Sequence, residues 1–166
     1  LAGTISGFDN EPLNLDRDLT IEAGASFFLD GGSVDMLLPL IIGRNLQLDG
    51  GLSGSPSGGD VHLAGNWTQS STGSYIPNNN EVLFNGTSGQ QTLSASGGVL
   101  FYNAEIDNAD GLLLNDNLSV TTNFEFNDGI VSPSSSTRLT FLDNATSTGA
   151  SNNSHVDRWV EKRGDD

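Results

Sequence analysis

The most constraining feature of this chain is a loose repeat of about 19 to 20 residues running between Asp16 and Asp128, made of strand-like rungs that end in Asp-Gly or Asn-Gly turns. The clearest pair is "FFLDGG" at Phe27 to Gly32 and "LQLDGG" at Leu46 to Gly51, whose Asp30 and Asp49 stand 19 positions apart. "LFNG" at Leu83 to Gly86 and "FEFNDG" at Phe124 to Gly129 are weaker echoes. A repeat of this length predicts a β-solenoid, a stack of coils in which each coil buries its apolar side chains only against its neighbours.

The local patterns agree. Leu19, Ile21, Ala23, Ala25, Phe27 and Leu29 share one parity, and period-two alternation means strand. Gly24 interrupts this run where a coil needs a corner, and Asp30-Gly31-Gly32 closes it with residues that accept positive φ. The apolar stretch Met36 to Ile42 lacks alternation and reads as a buried rung; with Pro39 inside it, it is far too short to span a bilayer. Leu52 to Gly59 reads as a loop, having few side chains from which to build a core. The most regular strand carries Leu118, Val120, Thr122, Phe124 and Phe126 on one parity and ends at Asn127-Asp128-Gly129. No segment carries an uninterrupted helical spacing of apolar residues. The expected fold is therefore all-β: a right-handed β-solenoid, parallel β-helix-like, of about seven coils and on the order of 35 Å tall. A β-sandwich is the alternative that Gly-rich turns also permit.

Length and charge narrow the function. The 166 residues suit a single domain, 1–166, and 21 Gly against 7% aromatic residues suit a thin coil better than a thick aromatic core. With 21 Asp plus Glu against 6 Lys plus Arg, the formal charge is -15. Such a surface repels nucleic acid and anionic membranes and favours cations. There is no Cys, so neither disulfides nor thiolate metal sites hold the fold. The chain begins at Leu1 without a signal-peptide pattern, which reads as a mature product or a piece excised from something longer; low charge density and abundant Ser, Thr, Asn and Gly suggest an extracellular protein.

Three stretches resemble a known pattern. "GNWTQSSTGSYIPNNNEVLFNGTSGQQTLS" (Gly65 to Ser94), "FYNAEIDNADGLLLNDNLSVTTNFEFNDGIV" (Phe101 to Val131) and "HVDRWVEKRGDD" (His155 to Asp166) are similar, in order, to the repetitive modules of large secreted surface proteins of Bacteroidota. The resemblance implies a solenoid-like module of a long multi-module exported protein, often cargo of type IX secretion, with an adhesive or structural role and no catalytic residues to carry over. Where that pattern's closing turn usually has Gly-Pro, this chain has Arg158-Trp159, which puts the tight turn in question.

Candidate sites each have a plainer reading. Asp30, Asp49 and Asp128 would line one coil edge and bind Ca²⁺, since stacked carboxylates repel unless a cation lies between them. Asp-Gly is also ordinary turn chemistry, and no nonapeptide calcium repeat occurs, which favours the plain reading. Trp67, Tyr75, Tyr102 and Trp159 are candidates for stacking on sugar rings; Trp67 and Tyr75, in polar contexts, are the better pair, against a core-covering role. Carboxylates are plentiful, but the two His (His62 and His155) and the basic cluster Arg158, Lys162 and Arg163 do not converge with them, so no enzyme is expected. The "RGD" at Arg163 to Asp165 and five Asn-x-Ser/Thr matches, at Asn66, Asn85, Asn117, Asn144 and Asn152, follow from composition. The expectation is thus a non-catalytic structural or adhesive module of an exported bacterial surface protein, monomeric, with no cofactor beyond a candidate Ca²⁺. Its expected partners are other modules of the same chain and surface glycans. A carbohydrate-binding module, attached to a polysaccharide-degrading enzyme, is the alternative.

Overall fold

A computed structural model describes residues 12–28, 38–56 and 59–164. Among these residues every regular element is a strand and every strand pairing is parallel. The chain climbs as a β-solenoid with three faces. The lowest level is β1 (Leu13–Leu15), β2 (Leu19–Ile21) and β3 (Ser26–Phe28); the next is β4 (Leu40–Ile42), β5 (Leu46–Leu48) and β6 (Gly51–Ser53); the third is β7 (Val61–Leu63), β8 (Trp67–Gln69) and β9 (Ser74–Ile76). Above them β10 (Glu81–Phe84), β11 (Gln91–Ala95), β12 (Val99–Asp107), β13 (Leu112–Leu114) and β14 (Leu118–Pro133) run on, the two long strands turning corners with register shifts between them and, in β14, with Gly129 at φ +104. β15 (Leu139–Phe141) completes the level of the upper part of β14, and the top level is formed by β16 (Thr146–Thr148), β17 (Ser154–Val156) and β18 (Val160–Lys162), the last stacked on β15.

One column of partners shows the climb. Leu13, Leu40, Val61, Val82, Ala104, Phe124 and Ser147 stand above one another on the first face, so six turns separate the first level from the last, against the coil count of about seven expected from the sequence. The second face stacks Leu19, Leu46, Trp67, Leu93, Leu114 and Pro133. The third begins with β3, β6 and β9 and continues upward through the first residues of β12 and β14 to β15 and β18.

The inward residues of the three faces form a single apolar core, with Leu40, Ile42, Leu46, Leu48, Val61, Leu63, Leu112, Leu114, Leu118 and Val120 all fully buried. Its middle is aromatic: the Trp67 ring meets Tyr75 and Phe101 edge-on, with centroids 5.1 Å away in each case, and Phe84 lies 6.2 Å from Phe101. Higher up, Phe124 and Phe126 lie 4.6 Å apart. Such offset and edge contacts add to the area these rings bury.

The corners explain the richness in Asn, Asp and Gly. Gly24 takes φ +80, as its corner position predicts. Gly50 is a different case: its Cβ would come within 2.3 Å of the Ala25 and Glu22 carbonyls of the level below, so glycine is required there by close stacking. Corner side chains also lock levels together. Asn45 N–H donates to Asp18 Oδ1 (2.9 Å), Asn66 N–H to Asn45 Oδ1 (2.9 Å) and Thr92 N–H, near the start of β11, to Asn66 Oδ1 (2.8 Å), so each side chain satisfies a backbone donor of the level above.

Two local expectations need correction. Leu52 and Ser53 of the supposed loop belong to β6, with Leu52 buried in the core, because one inward leucine between the small residues Gly51 and Ser53 suffices for a short rung. The Phe27–Gly32 and Leu46–Gly51 echo does not mark stacked rungs: Phe27 lies on the third face and pairs with Leu52, whereas Leu46 lies on the second and pairs with Leu19. The Arg158-Trp159 departure does not disturb the closing turn; β17 passes into β18 through a bend at 157–159, anchored by the Asp157 N–H to the Val131 carbonyl at 3.1 Å.

Candidate functional site

The first face turns every second residue outward. In the lower part of the stack these are neutral, Asn14 and Ile41; further up they become acidic. Glu81 stands beside Asn103 and Asn123 in one column, and His62, Leu83, Glu105 and Glu125 form the next. Asp60, one residue before β7, fixes the lower edge: its Oδ1 accepts the Glu81 backbone N–H at 2.8 Å. Neighbouring levels are about 4.8 Å apart, so these carboxylates lie within strong mutual repulsion.

Their protonation reflects that crowding. Partial burial, then the charges of Glu105, Asp60 and Glu125, push the Glu81 carboxyl up to about 7, and it shares a hydrogen bond with Glu105. Glu105 is raised too, by burial and by Glu125 and Asp107, against the opposing hydrogen bonds of Asn127 and Glu81. One proton held between Glu81 and Glu105 relieves the repulsion near neutral pH. Burial lowers His62, with Asp60 pulling it back toward the charged form. The face can therefore take up and release a proton near neutrality and attract cations from solution. Among the described residues no three His, Asp or Glu side chains are grouped to hold a metal ion.

The expected sites lie elsewhere. Asp30 falls outside the described residues. Asp49 follows β5 at the end of the second face, where its Oδ1 accepts the Gln47 amide at 2.8 Å; Asp128 lies in β14 on the first face, paired with Asp107 of the level below. The two aspartates are on different corners and different levels, so they do not form the carboxylate edge expected for Ca²⁺. Trp67 is 0% exposed and Tyr75 is mostly buried against it, so the predicted sugar platform is core. Their polar contexts misled because in a thin coil the residues beside an inward aromatic all face outward. The Tyr75 hydroxyl is buried without a hydrogen-bond partner, and burial, helped by the Asp60 charge, pushes it above the ordinary tyrosine range. Tyr102 sits half-buried at the bulge between the two halves of β12.

Trp159, by contrast, is 66% exposed. It lies at the top of the third face, where Arg138 and Arg163 both bind Glu161. The RGD stretch is thereby tied into the body through Arg163, and its Asp165 falls outside the described residues. The acidic cluster was missed because Glu81, Glu105 and Glu125 are 24 and 20 residues apart, an uneven spacing that means nothing until the level-to-level register is known. No protein family, curated protein or solved structure matches this chain.

Proposed function

We propose that this chain is a non-catalytic structural or adhesive module of an exported bacterial cell-surface protein, serving as a stiff spacer. The observation that carries the reading is the unbroken column of parallel partners from Leu13 to Ser147 over a continuous apolar core. Each level is bonded to the next on its first two faces, and on the third within β3, β6 and β9 and again from β12 upward, which resists bending and stretching along the stack. The net charge of -15 keeps neighbouring molecules apart in solution. The ordered similarity of Gly65 to Ser94, Phe101 to Val131 and His155 to Asp166 to modules of secreted Bacteroidota surface proteins supports export and a place in a multi-module chain. A catalytic reading is weaker: the Glu81–Glu105 pair stands on the outer surface of a sheet, and neither of the two hollows beside Arg138 includes it.

Force spectroscopy on the chain held by its two ends tests the spacer role. A stiff spacer keeps its length under steady load and then lengthens in steps of one turn, about 7 nm for about 20 residues at about 3.5 Å each. Smooth extension from the lowest loads, as for an unstructured chain, would sink the reading.

A further inference from the structure

The upper part of the third face differs from the rest of the surface. Its outward positions form a lattice in which Leu100, Ser119, Thr140 and Glu161 stand in one column by direct pairing. Arg138 and Trp159 precede the paired residues Leu139 and Val160, and the Leu139 N–H donates to the Trp159 carbonyl, which places them on adjacent levels of a second column. Two hollows open here on either side of Arg138, of about 530 Å³ and about 350 Å³. Leu100, Ser119, Thr140 and Arg163 line the larger, and Trp159, Ser136 and Glu161 the smaller.

The chemistry is that of a built recognition surface. Glu161 holds both arginines: Arg138 Nη1 donates to Oε2 at 3.0 Å and Arg163 Nε to Oε1 at 2.7 Å. One carboxylate therefore fixes two guanidinium groups while cancelling only one of their two charges. Asn117 Oδ1, accepting the Arg138 backbone N–H at 3.1 Å, anchors the strand that carries the first. Among the described residues neither Arg138 nor Arg163 has another side-chain bond, so these contacts leave further N–H groups of each fork to meet a ligand. Their side chains are 51% and 62% exposed. Beside them Trp159 offers a bare ring and Leu100 a half-exposed apolar side chain. Arg138, Arg163 and Glu161 together carry one net positive charge in a chain of net charge -15, and Trp159 borders them with an aromatic plane.

We propose that this face binds a sugar chain bearing carboxylate or sulfate groups, one ring stacking on Trp159 and an acidic substituent engaging the free donors of Arg138 and Arg163. Planar guanidinium forks match such groups in two-point geometry, and an indole face matches the C–H side of a sugar ring. The ion pairs with Glu161 hold the forks in place before binding, so little side-chain freedom is lost. The rod is stiff whether or not this face is occupied, so failure of binding leaves the spacer reading intact.

Fluorescence titration of the whole chain tests the proposal, because Trp159 is exposed while Trp67 is buried. The probes are a galacturonic acid hexamer, its methyl ester, and a sulfated oligosaccharide of similar length. Saturable binding of the uronate or the sulfated probe, with the neutral ester bound at least about tenfold more weakly, is expected. The uronate and sulfate arms identify which acidic group is preferred. Measured by isothermal titration calorimetry, which needs no reporter at Trp159, Trp159→Ala and the double variant Arg138→Gln/Arg163→Gln should each weaken binding about tenfold or more, whereas Arg44→Gln, on an exposed residue near the other end of the stack, should leave it unchanged. Equal binding of the ester, no binding of any probe, or equal loss with Arg44→Gln would overturn the proposal. So would shielding of Trp159 that grows with protein concentration alone, since end-to-end association would then cover the ring.

Discussion

Replacing Gln91 with Leu should cost this fold about 3 kcal/mol, although the substitution exchanges a polar side chain for an apolar one of similar size inside the core. Gln91 is 2% exposed and spans three levels. Its Oε1 accepts the Gly86 backbone N–H (2.8 Å) and the Asn108 amide (3.1 Å); its Nε2 donates to the carbonyls of Leu63 (2.9 Å) and Gly65. Two of those four partners have other bonds: the Leu63 carbonyl also accepts the Asn85 N–H at 3.1 Å, and Asn108 also donates to the Gly89 carbonyl at 3.2 Å. Leucine would therefore strand mainly the Gly86 N–H and the Gly65 carbonyl. At about 1 to 3 kcal/mol for each orphaned group the loss is about 4 kcal/mol. Burying an apolar side chain in place of an amide returns about 1 kcal/mol. Urea denaturation followed by circular dichroism would give the total, and hydrogen exchange would show the weakening concentrated on the levels of β7, β10 and β12. A companion variant, Gln91→Glu, separates the cause. Ionised, its carboxylate would face the Leu63 and Gly65 carbonyls, so its folded-state pKa is raised; the variant is nearest to wild type at acid pH and loses stability as pH rises past the ordinary glutamate value. If Gln91→Leu falls within 1 kcal/mol of wild type, the inference that these buried bonds hold the levels together is wrong.

Two further outcomes follow from the same structure. Glu81→Gln should match wild type near pH 4 and exceed it near pH 8: the Glu81 carboxyl is raised to about 7, so its ionisation costs stability from the ordinary carboxylate range upward, a cost fully present above pH 7. Allowing for solvent screening of a half-exposed group, the gain is about 1 kcal/mol, and equal midpoints at pH 8 in paired denaturation curves would contradict the shared-proton account. Trp67→Ala should cost about 3 to 5 kcal/mol, because it opens a cavity between Tyr75 and Phe101, and it should leave sugar binding at Trp159 untouched in the folded fraction. A variant of unchanged melting temperature that had lost sugar binding would restore the platform reading of Trp67.

The sequence alone determined that this chain is a stack of short parallel rungs. Alternation such as Leu118, Val120, Thr122, Phe124 and Phe126 marks which side chains go inward, and all of these are buried except Thr122, which is half-buried. Gly24 marked a corner, and the lack of helical spacing left only strands. Alternation carries one bit per residue, inward or outward; it does not say which residue of the next level stands above. That choice depends on corner lengths, and corners vary freely because their residues do not enter the core. Leu13 to Leu40 takes 27 residues, Ala104 to Phe124 takes 20 and Val99 to Leu118 takes 19, so no single spacing marks a turn, and the 19-residue echo of Phe27 and Leu46 joins different faces of the stack. Only the folded register could place Glu81 against Glu105 and hold Arg138 and Arg163 on one carboxylate beside Trp159. It also turned Trp67 inward and left Trp159 outside, a distinction that two tryptophans in similarly polar stretches do not announce. Architecture was legible because it follows from local periodicity, whereas the surfaces that would meet a ligand are built from residues about 20 apart whose meeting is settled by hydrogen bonds between levels.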